Sequence, residues 1–168
     1  MLNELSNHIE GLQRYAYVLC RNHHDADDLV QETLVKAISA AHTYKPEKDL
    51  RVWLFAILHN TFISSKRKLA RRTRAAAFLD GLSEQDGEVQ TQQEQNVEAR
   101  HTVRMMARLT PDQQAALSLI ALEDMSYEEA AGILDVPVGT LMSRLARGRD
   151  ALRKMMSGKE ESRFKVVR

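Results

Sequence analysis

Residues 127–149 read Tyr127-Glu-Glu-Ala-Ala-Gly-Ile-Leu134, then Asp135-Val-Pro137, then Val138-Gly-Thr-Leu-Met-Ser-Arg-Leu-Ala-Arg-Gly-Arg149. A short apolar helix, a three-residue break containing proline and a longer basic helix follow one another, the arrangement of a helix-turn-helix. Small Ala130 and Ala131 let the two helices cross closely, and Ile133, Leu134 and Val136 fill the corner. On the second helix Leu141, Leu145, Gly148 and Leu152 recur at helical spacing and predict the buried stripe. Thr140, Ser143, Arg144 and Arg147 then fall on the opposite side, about one turn apart. Arginine grips guanine O6 and N7 with two hydrogen bonds or neutralises a phosphate, and Ser or Thr reaches either. Asp135 occupies the turn, where aspartate tolerates a left-handed backbone.

Two start signals lie just upstream. Ser126-Tyr-Glu-Glu129 is an S-x-x-E capping box, and Thr110-Pro-Asp-Gln113 is a T-x-x-Q box with proline at the first helical position. They predict helices over 127–134 and about 111–122, preceded by inward-facing Val103, Met106 and Leu109. The first half of the chain is helical by the same test. Ile9, Leu12, Tyr15 (or Ala16) and Leu19 predict an amphipathic helix over about 5–21, and polar Asn22 to Asp25 turns the chain. From Asp27, the residues Leu29, Val30, Leu34, Ala37, Ile38 and Ala41 make a second stripe. Asp25, Asp27 and Asp28 stand near its positive end. It stops before Lys45-Pro46, because proline disfavours helix in the preceding residue. A third helix from Asp49 carries Val52, Trp53, Phe55, Ala56, Ile57 and Phe62. Trp53 shares that stripe with Ile57 and reads as a core residue rather than a wedge for DNA strands.

Residues 76–97 contain Gly81, Ser83, Asp86, Gly87 and a glutamine-rich run without an apolar stripe, and read as a linker. The expected fold is therefore all-α: two small helical domains joined by a flexible linker, the C-terminal one containing the helix-turn-helix. The boundaries fall at 1–75, 76–97 and 98–157, with a tail over 158–168.

Composition agrees. Of 168 residues 43% are hydrophobic and 28% charged, with 7 Gly and 3 Pro, so the chain can bury a helical core and is too short for a large catalytic barrel. Cys20 is the single cysteine, which excludes an intramolecular disulfide and fits a reducing cytoplasm. No apolar run approaches the roughly 18 residues of a membrane span, and Met1-Leu2-Asn3-Glu4 begins no signal pattern, so no membrane insertion is expected. The net charge of +1 conceals segregation. Arg51, Lys66, Arg67, Lys68, Arg71, Arg72 and Arg74 stand between 51 and 79 with no acid among them. Asp80, Glu84, Asp86, Glu88, Glu94 and Glu98 follow without a base, and Arg144, Arg147, Arg149, Arg153 and Lys154 then outweigh Asp150. Two basic patches backed by apolar stripes point to a polyanion, and specifically to nucleic acid.

Leu109-Thr-Pro-Asp-Gln113, Met125-Ser-Tyr-Glu-Glu-Ala-Ala131 and Val136-Pro-Val-Gly-Thr140 with Ser143-Arg-Leu145 closely resemble the C-terminal domain of the extracytoplasmic-function (ECF) group of bacterial sigma factors, in the sigma-70 family. The N-terminal half resembles the same group through Asp25-Ala-Asp-Asp-Leu-Val-Gln-Glu-Thr-Leu34, Val52-Trp-Leu-Phe-Ala-Ile57 and Asn60-Thr61. The resemblance covers about residues 10–155 with the motifs in order. It implies a cytoplasmic promoter-specificity subunit of RNA polymerase: a region-two-like domain that binds core polymerase and the −10 element, and a region-four-like domain that reads the −35 element. Its partners would be core RNA polymerase (the clamp coiled coil and the flap), promoter DNA and an anti-sigma factor. The clamp-binding positions correspond to Asp28, Gln31 and Glu32. The −10 positions correspond to Asn60 and Thr61, which capture an unstacked base, with Ser64, Ser65, Lys66 and Arg67 beside them. Thr140, Ser143, Arg144 and Arg147 correspond to the −35 readers. The group often has a basic residue where this chain has Met142 and a bulky one where it has Ala146.

Other chemistries fit less well. His23, His24, Asp25, Asp27, Asp28 and Glu32 suggest a two-metal nuclease, but the acids lie in one short segment with no second carboxylate motif to complete a cage. No catalytic residue, cofactor or metal is expected. Cys20 with His23 and His24 reads as a helix-end cysteine beside solvated histidines rather than a metal site. A sigma mimic that sequesters an anti-sigma factor should lack the DNA-reading side chains. A conventional helix-turn-helix regulator would leave the N-terminal motifs without a purpose.

Overall fold

The computed structural model describes residues 2–80 and 104–165. Among them all regular structure is helical, and no helix is long and apolar enough to cross a membrane. The chain divides into two units, residues 1–92 and 93–168.

The first unit contains α1 (Leu2–Leu5), α2 (Ile9–Cys20), α3 (His23–Ser39) and α4 (Leu50–Asp80), with short 3₁₀ turns after α1 and α3. Helix α2 buries Leu12, Tyr15 and Ala16 of the expected stripe together with Gly11, while Ile9 and Leu19 at its ends are half-buried. It ends at Arg21, whose N–H still bonds the Tyr17 carbonyl at 2.8 Å while its left-handed backbone (φ 63°) turns the chain out of the helix. Asn22 then caps α3 by accepting the Asp25 N–H at 2.8 Å. Helix α3 thus starts at His23, and the polar segment 22–25 is its first turn rather than a loop. Ala26, Leu29, Val30, Thr33 and Ala37 form its buried face, and the Thr33 hydroxyl satisfies itself on the Leu29 carbonyl at 2.7 Å.

Helix α4 is opened by Asp49, whose carboxylate accepts the Arg51 N–H at 2.8 Å. Its core residues are Leu50, Leu54, Phe55 and Leu58, a stripe turned slightly from the expected one. Val52, Trp53, Ala56 and Ile57 are half-buried on its flanks. Trp53 lies against Tyr44, ring centroids 5.2 Å apart, at the edge of the core rather than within it. Each fully buried leucine here contributes about 1.5–3 kcal/mol, so Leu58→Ala would cost about 2–5 kcal/mol and threaten the unit. Residues 76–80, expected in the linker, are the last turns of α4. The rest of the expected linker, 81–97, lies outside the described residues.

The second unit contains α5 (Pro111–Leu117), α6 (Tyr127–Leu134) and α7 (Val138–Lys165). Both capping boxes form. Thr110 accepts the Gln113 N–H at 3.3 Å while Gln113 accepts that of Thr110 at 3.2 Å. Ser126 and Glu129 do the same at 3.2 and 2.8 Å. Buried Gln114 donates to the Met106 and Leu109 carbonyls at 2.6 and 3.1 Å, tying the preceding turn to α5. The expected single helix over 111–122 instead widens into a π-type turn over Ser118–Leu122. There the Glu123 N–H reaches back to the Ser118 carbonyl at 3.1 Å. Helix α7 runs to Lys165, so most of the expected tail continues it.

Candidate nucleic-acid and partner interfaces

The corner between α6 and α7 aims the second helix. Asp135 adopts the left-handed conformation (φ 52°, ψ 49°). The Asp135 and Val136 N–H groups bond the Gly132 and Ala131 carbonyls at 3.3 and 3.0 Å, closing a Schellman motif. Leu141 and Leu145 are buried, as is Gly148. A Cβ on Gly148 would lie 2.8 Å from Leu117 Cδ1, so the absence of a side chain there lets α7 press against α5. Leu152, the fourth member of the expected stripe, is only half-buried.

This seating exposes Thr140, Ser143 and Arg147 on the far side of α7, with the Ser143 hydroxyl donating to the Gly139 carbonyl at 3.1 Å. Arg144 differs. It turns toward α5 and pairs with Asp112, Nη2 to Oδ2 3.0 Å, leaving its side chain 25% exposed. Thirty-odd residues separate the partners, and no local spacing signals the pair. Met142 and Ala146 stand on the exposed side beside Ser143.

In the first unit Asp28, Gln31 and Glu32 are all exposed on α3, within one helical turn. The Glu32 carboxylate lies 2.7 Å from the Lys36 ammonium, and Asp28 lies 3.7 Å from His24 Nε2. A cleft of 240 Å³ runs between Asp25, Asp28 and Glu32 of α3 and Phe62, Ser65 and Lys66 of α4, with Cys20 among its lining residues. Burial and the Asp25 carboxylate push the Cys20 thiol up to about 11, opposed in part by Lys66. His23 stacks on Tyr17 with ring centroids 4.4 Å apart. Among the described residues no group of three or more His, Cys, Asp or Glu could hold a metal ion.

The −10 candidates divide. Asn60, Ser64, Ser65, Lys66 and Arg67 are exposed on α4, and the Lys66 ammonium sits 5.5 Å from the centre of the Phe62 ring. Thr61 is 2% exposed. It follows Leu54 and Leu58 on the buried stripe, and its hydroxyl accepts from Lys36 at 3.2 Å. The structure thus places Thr61 inside the unit and not on a strand-binding surface. Lys36, which no motif singled out, bridges Glu32 and Thr61 and so joins the α3 face to the end of the α4 core. One residue before Asn60, His59 Nδ1 lies 3.0 Å from the buried Tyr15 hydroxyl.

Residues 6–72 match the family model of sigma-70 region 2, and residues 102–152 that of sigma-70 region 4. The chain is 37% identical over 144 residues to the ECF RNA polymerase sigma factor EcfG of Rhodopseudomonas palustris, across 86% of this chain and 78% of that protein. It is 38% identical over 133 residues to the ECF RNA polymerase sigma factor SigC of Mycobacterium tuberculosis, across 76% and 68%. Among solved structures, the sigma factor RpoE of Bartonella quintana, crystallised in complex with the anti-sigma factor NepR, matches with a TM-score of 0.79. Identity there is 32%, over 92% of this chain and 95% of that one. Both regions in order, an all-helical fold and relatives of this identity lead to one assignment: the chain belongs to the ECF group of RNA polymerase sigma factors.

Proposed function

We propose that this sigma factor directs core RNA polymerase to promoters by dividing the contacts between its two units. The observation that carries this reading is the helix-turn-helix whose α7 exposes Thr140, Ser143 and Arg147 together, on a helix held by a closed Schellman corner. These residues read the −35 duplex. Arg144 adds a phosphate contact from the N–H donors that Asp112 does not use, since a guanidinium carries five. In the first unit Asp28, Gln31 and Glu32 dock on the clamp coiled coil of the largest polymerase subunit, where acid and amide groups meet a basic helix. Asn60 captures an unstacked −10 base, while Ser64, Ser65, Lys66 and Arg67 hold the separated strand. The second unit also rests on the flap of the second-largest subunit.

The family is not an enzyme class, and in this reading the chain makes no bonds and needs no cofactor; polymerase does the chemistry. The division of labour follows the helices: the unit that ends with α4 at Asp80 serves polymerase and −10 binding, the linker falls after it, and the unit whose α7 continues to Lys165 serves −35 binding. The relative of known structure described with an anti-sigma factor supports control by such a partner here. The protein then works in the cytoplasm, where polymerase is. Run-off transcription with core polymerase across a promoter library tests the proposal. Transcripts that depend on the added protein and on a pair of upstream elements are expected. A folded sample that fails to bind core polymerase at micromolar concentration would refute it, and a sigma mimic would produce no transcript.

A further inference from the structure

The exposed side of α7 is chemically split. Thr140, Ser143 and Arg147 lie along one flank, and all three carry hydrogen-bonding groups. Met142 and Ala146 lie along the other, four residues and about 40° of helix rotation apart. Met142 is 52% exposed, Ala146 is exposed, and exposed Arg149 continues the same row one turn on. Single exposed apolar residues are ordinary on protein surfaces. This pair differs in its position, beside the side chains assigned to base reading.

We infer that Met142 and Ala146 form an apolar seam that selects thymine in the −35 duplex by contact with its C5-methyl group. The inference rests on the assignment of α7 to the major groove. A helix seated there brings the centre of its outward face near base edges and the margins of that face near phosphates. Neither Met142 nor Ala146 makes a strong hydrogen bond to the donors and acceptors that every base, thymine O4 included, presents in that groove, so neither gains from polar edges. Thymine alone adds a methyl group, which gains from apolar cover. Met142 is long and unbranched, so it adapts to the methyl position. Arg149, two turns from Met142, is placed to hold the adjacent phosphate and keep that flank close to the bases.

The test uses the full chain assembled with core polymerase. Bound sites are selected from a duplex library randomised over the upstream region. In the selected site each thymine is then replaced singly by deoxyuridine, which removes only the methyl. The expected result is at least one thymine where this change weakens binding about fourfold, the factor that follows from one buried methyl. The thymine–deoxyuridine difference should vanish in Met142→Gln, a solvent-exposed and helix-compatible change, whereas Arg147→Ala should weaken both duplexes alike. A selected site that depends on Arg147 but gives equal binding at every thymine–deoxyuridine pair would overturn the seam and leave the −35 assignment standing. So would a difference that survives unchanged in Met142→Gln. Selection of no sequence at all would overturn the −35 assignment, and the seam with it.

Discussion

Arg144 of the helix-turn-helix holds its Nη2 3.0 Å from Asp112 Oδ2, joining the second helix of the motif to the first turn of α5. The carboxylate is largely solvated, its side chain 66% exposed, so the pair is worth less than about 1 kcal/mol and weakens with salt. Asp112→Asn should lower the stability of the second unit by that small amount in urea unfolding. Arg144→Ala should weaken promoter binding by a similar factor on every sequence, as a phosphate contact does. A change in base preference at one −35 position in Arg144→Ala would instead make it a base reader.

Arg147 and Asn60 should fail differently. Arg147→Ala is expected to cost about 1–3 kcal/mol in −35 binding and to relax specificity at one position. Asn60→Ala should leave closed-complex affinity nearly intact and reduce the reactivity of unpaired −10 thymines toward permanganate. Both side chains are exposed, so neither change should move stability by more than about 0.5 kcal/mol. Loss of duplex affinity alone in both variants would contradict this division.

Thr61→Val offers a contrast one residue away. It keeps the buried shape but removes the acceptor that Lys36 uses at 3.2 Å. A destabilisation of about 1 kcal/mol is expected, with open-complex formation changed only in proportion to the lost folded fraction. If Thr61→Val folds normally and still blocks strand opening, Thr61 reaches DNA after a rearrangement.

Cys20 should report burial through pH. Its thiol is pushed from an ordinary 9.0 up to about 11 by burial and by Asp25. An unfolded chain releases that proton first, so the stability tied to Cys20 is fully present below about pH 9 and is lost as pH rises through 11. At pH 8 the folded thiol should carry roughly 100-fold less thiolate than an ordinary cysteine and react with iodoacetamide correspondingly slowly. Alkylation at the free-cysteine rate in native buffer would show that the site opens.

Local signals carried most of the fold. Thr110 with Gln113, and Ser126 with Glu129, lie three residues apart, so the capping boxes were readable without tertiary knowledge. The left-handed Asp135 was readable for the same reason. Where the pattern misled, the cause was non-local or subtle. Trp53 and Ile57 share a stripe with Phe55 by spacing, yet packing against α2 and α3 selects Leu54 and Leu58 for the centre and leaves Trp53 to Tyr44. The π-type turn at Ser118 changes the helix period, which a fixed-period reading of 111–122 cannot show. Thr61 is placed with the −10 readers only through the family resemblance; its position three residues after Leu58 is the local signal that it faces inward. The Arg144–Asp112 pair joins helices far apart in sequence and was not legible at all.

Helix α4 spans 31 residues, about 46 Å, yet from Ser64 to Phe78 every side chain is exposed. That half of the helix has no core to hold it, and Arg67 with Arg71 and Lys68 with Arg72 place like charges four residues apart, which weakens a solvated helix. Its free energy as a helix is therefore a polyelectrolyte property, rising with ionic strength and with any polyanion laid along it. A phosphate backbone bound there does more than meet a charged surface: by relieving the repulsion it sets how far the rod stays wound, so DNA occupancy and helix length become one coupled quantity, readable as hydrogen-exchange protection that advances from Ser64 toward Phe78 when DNA is added.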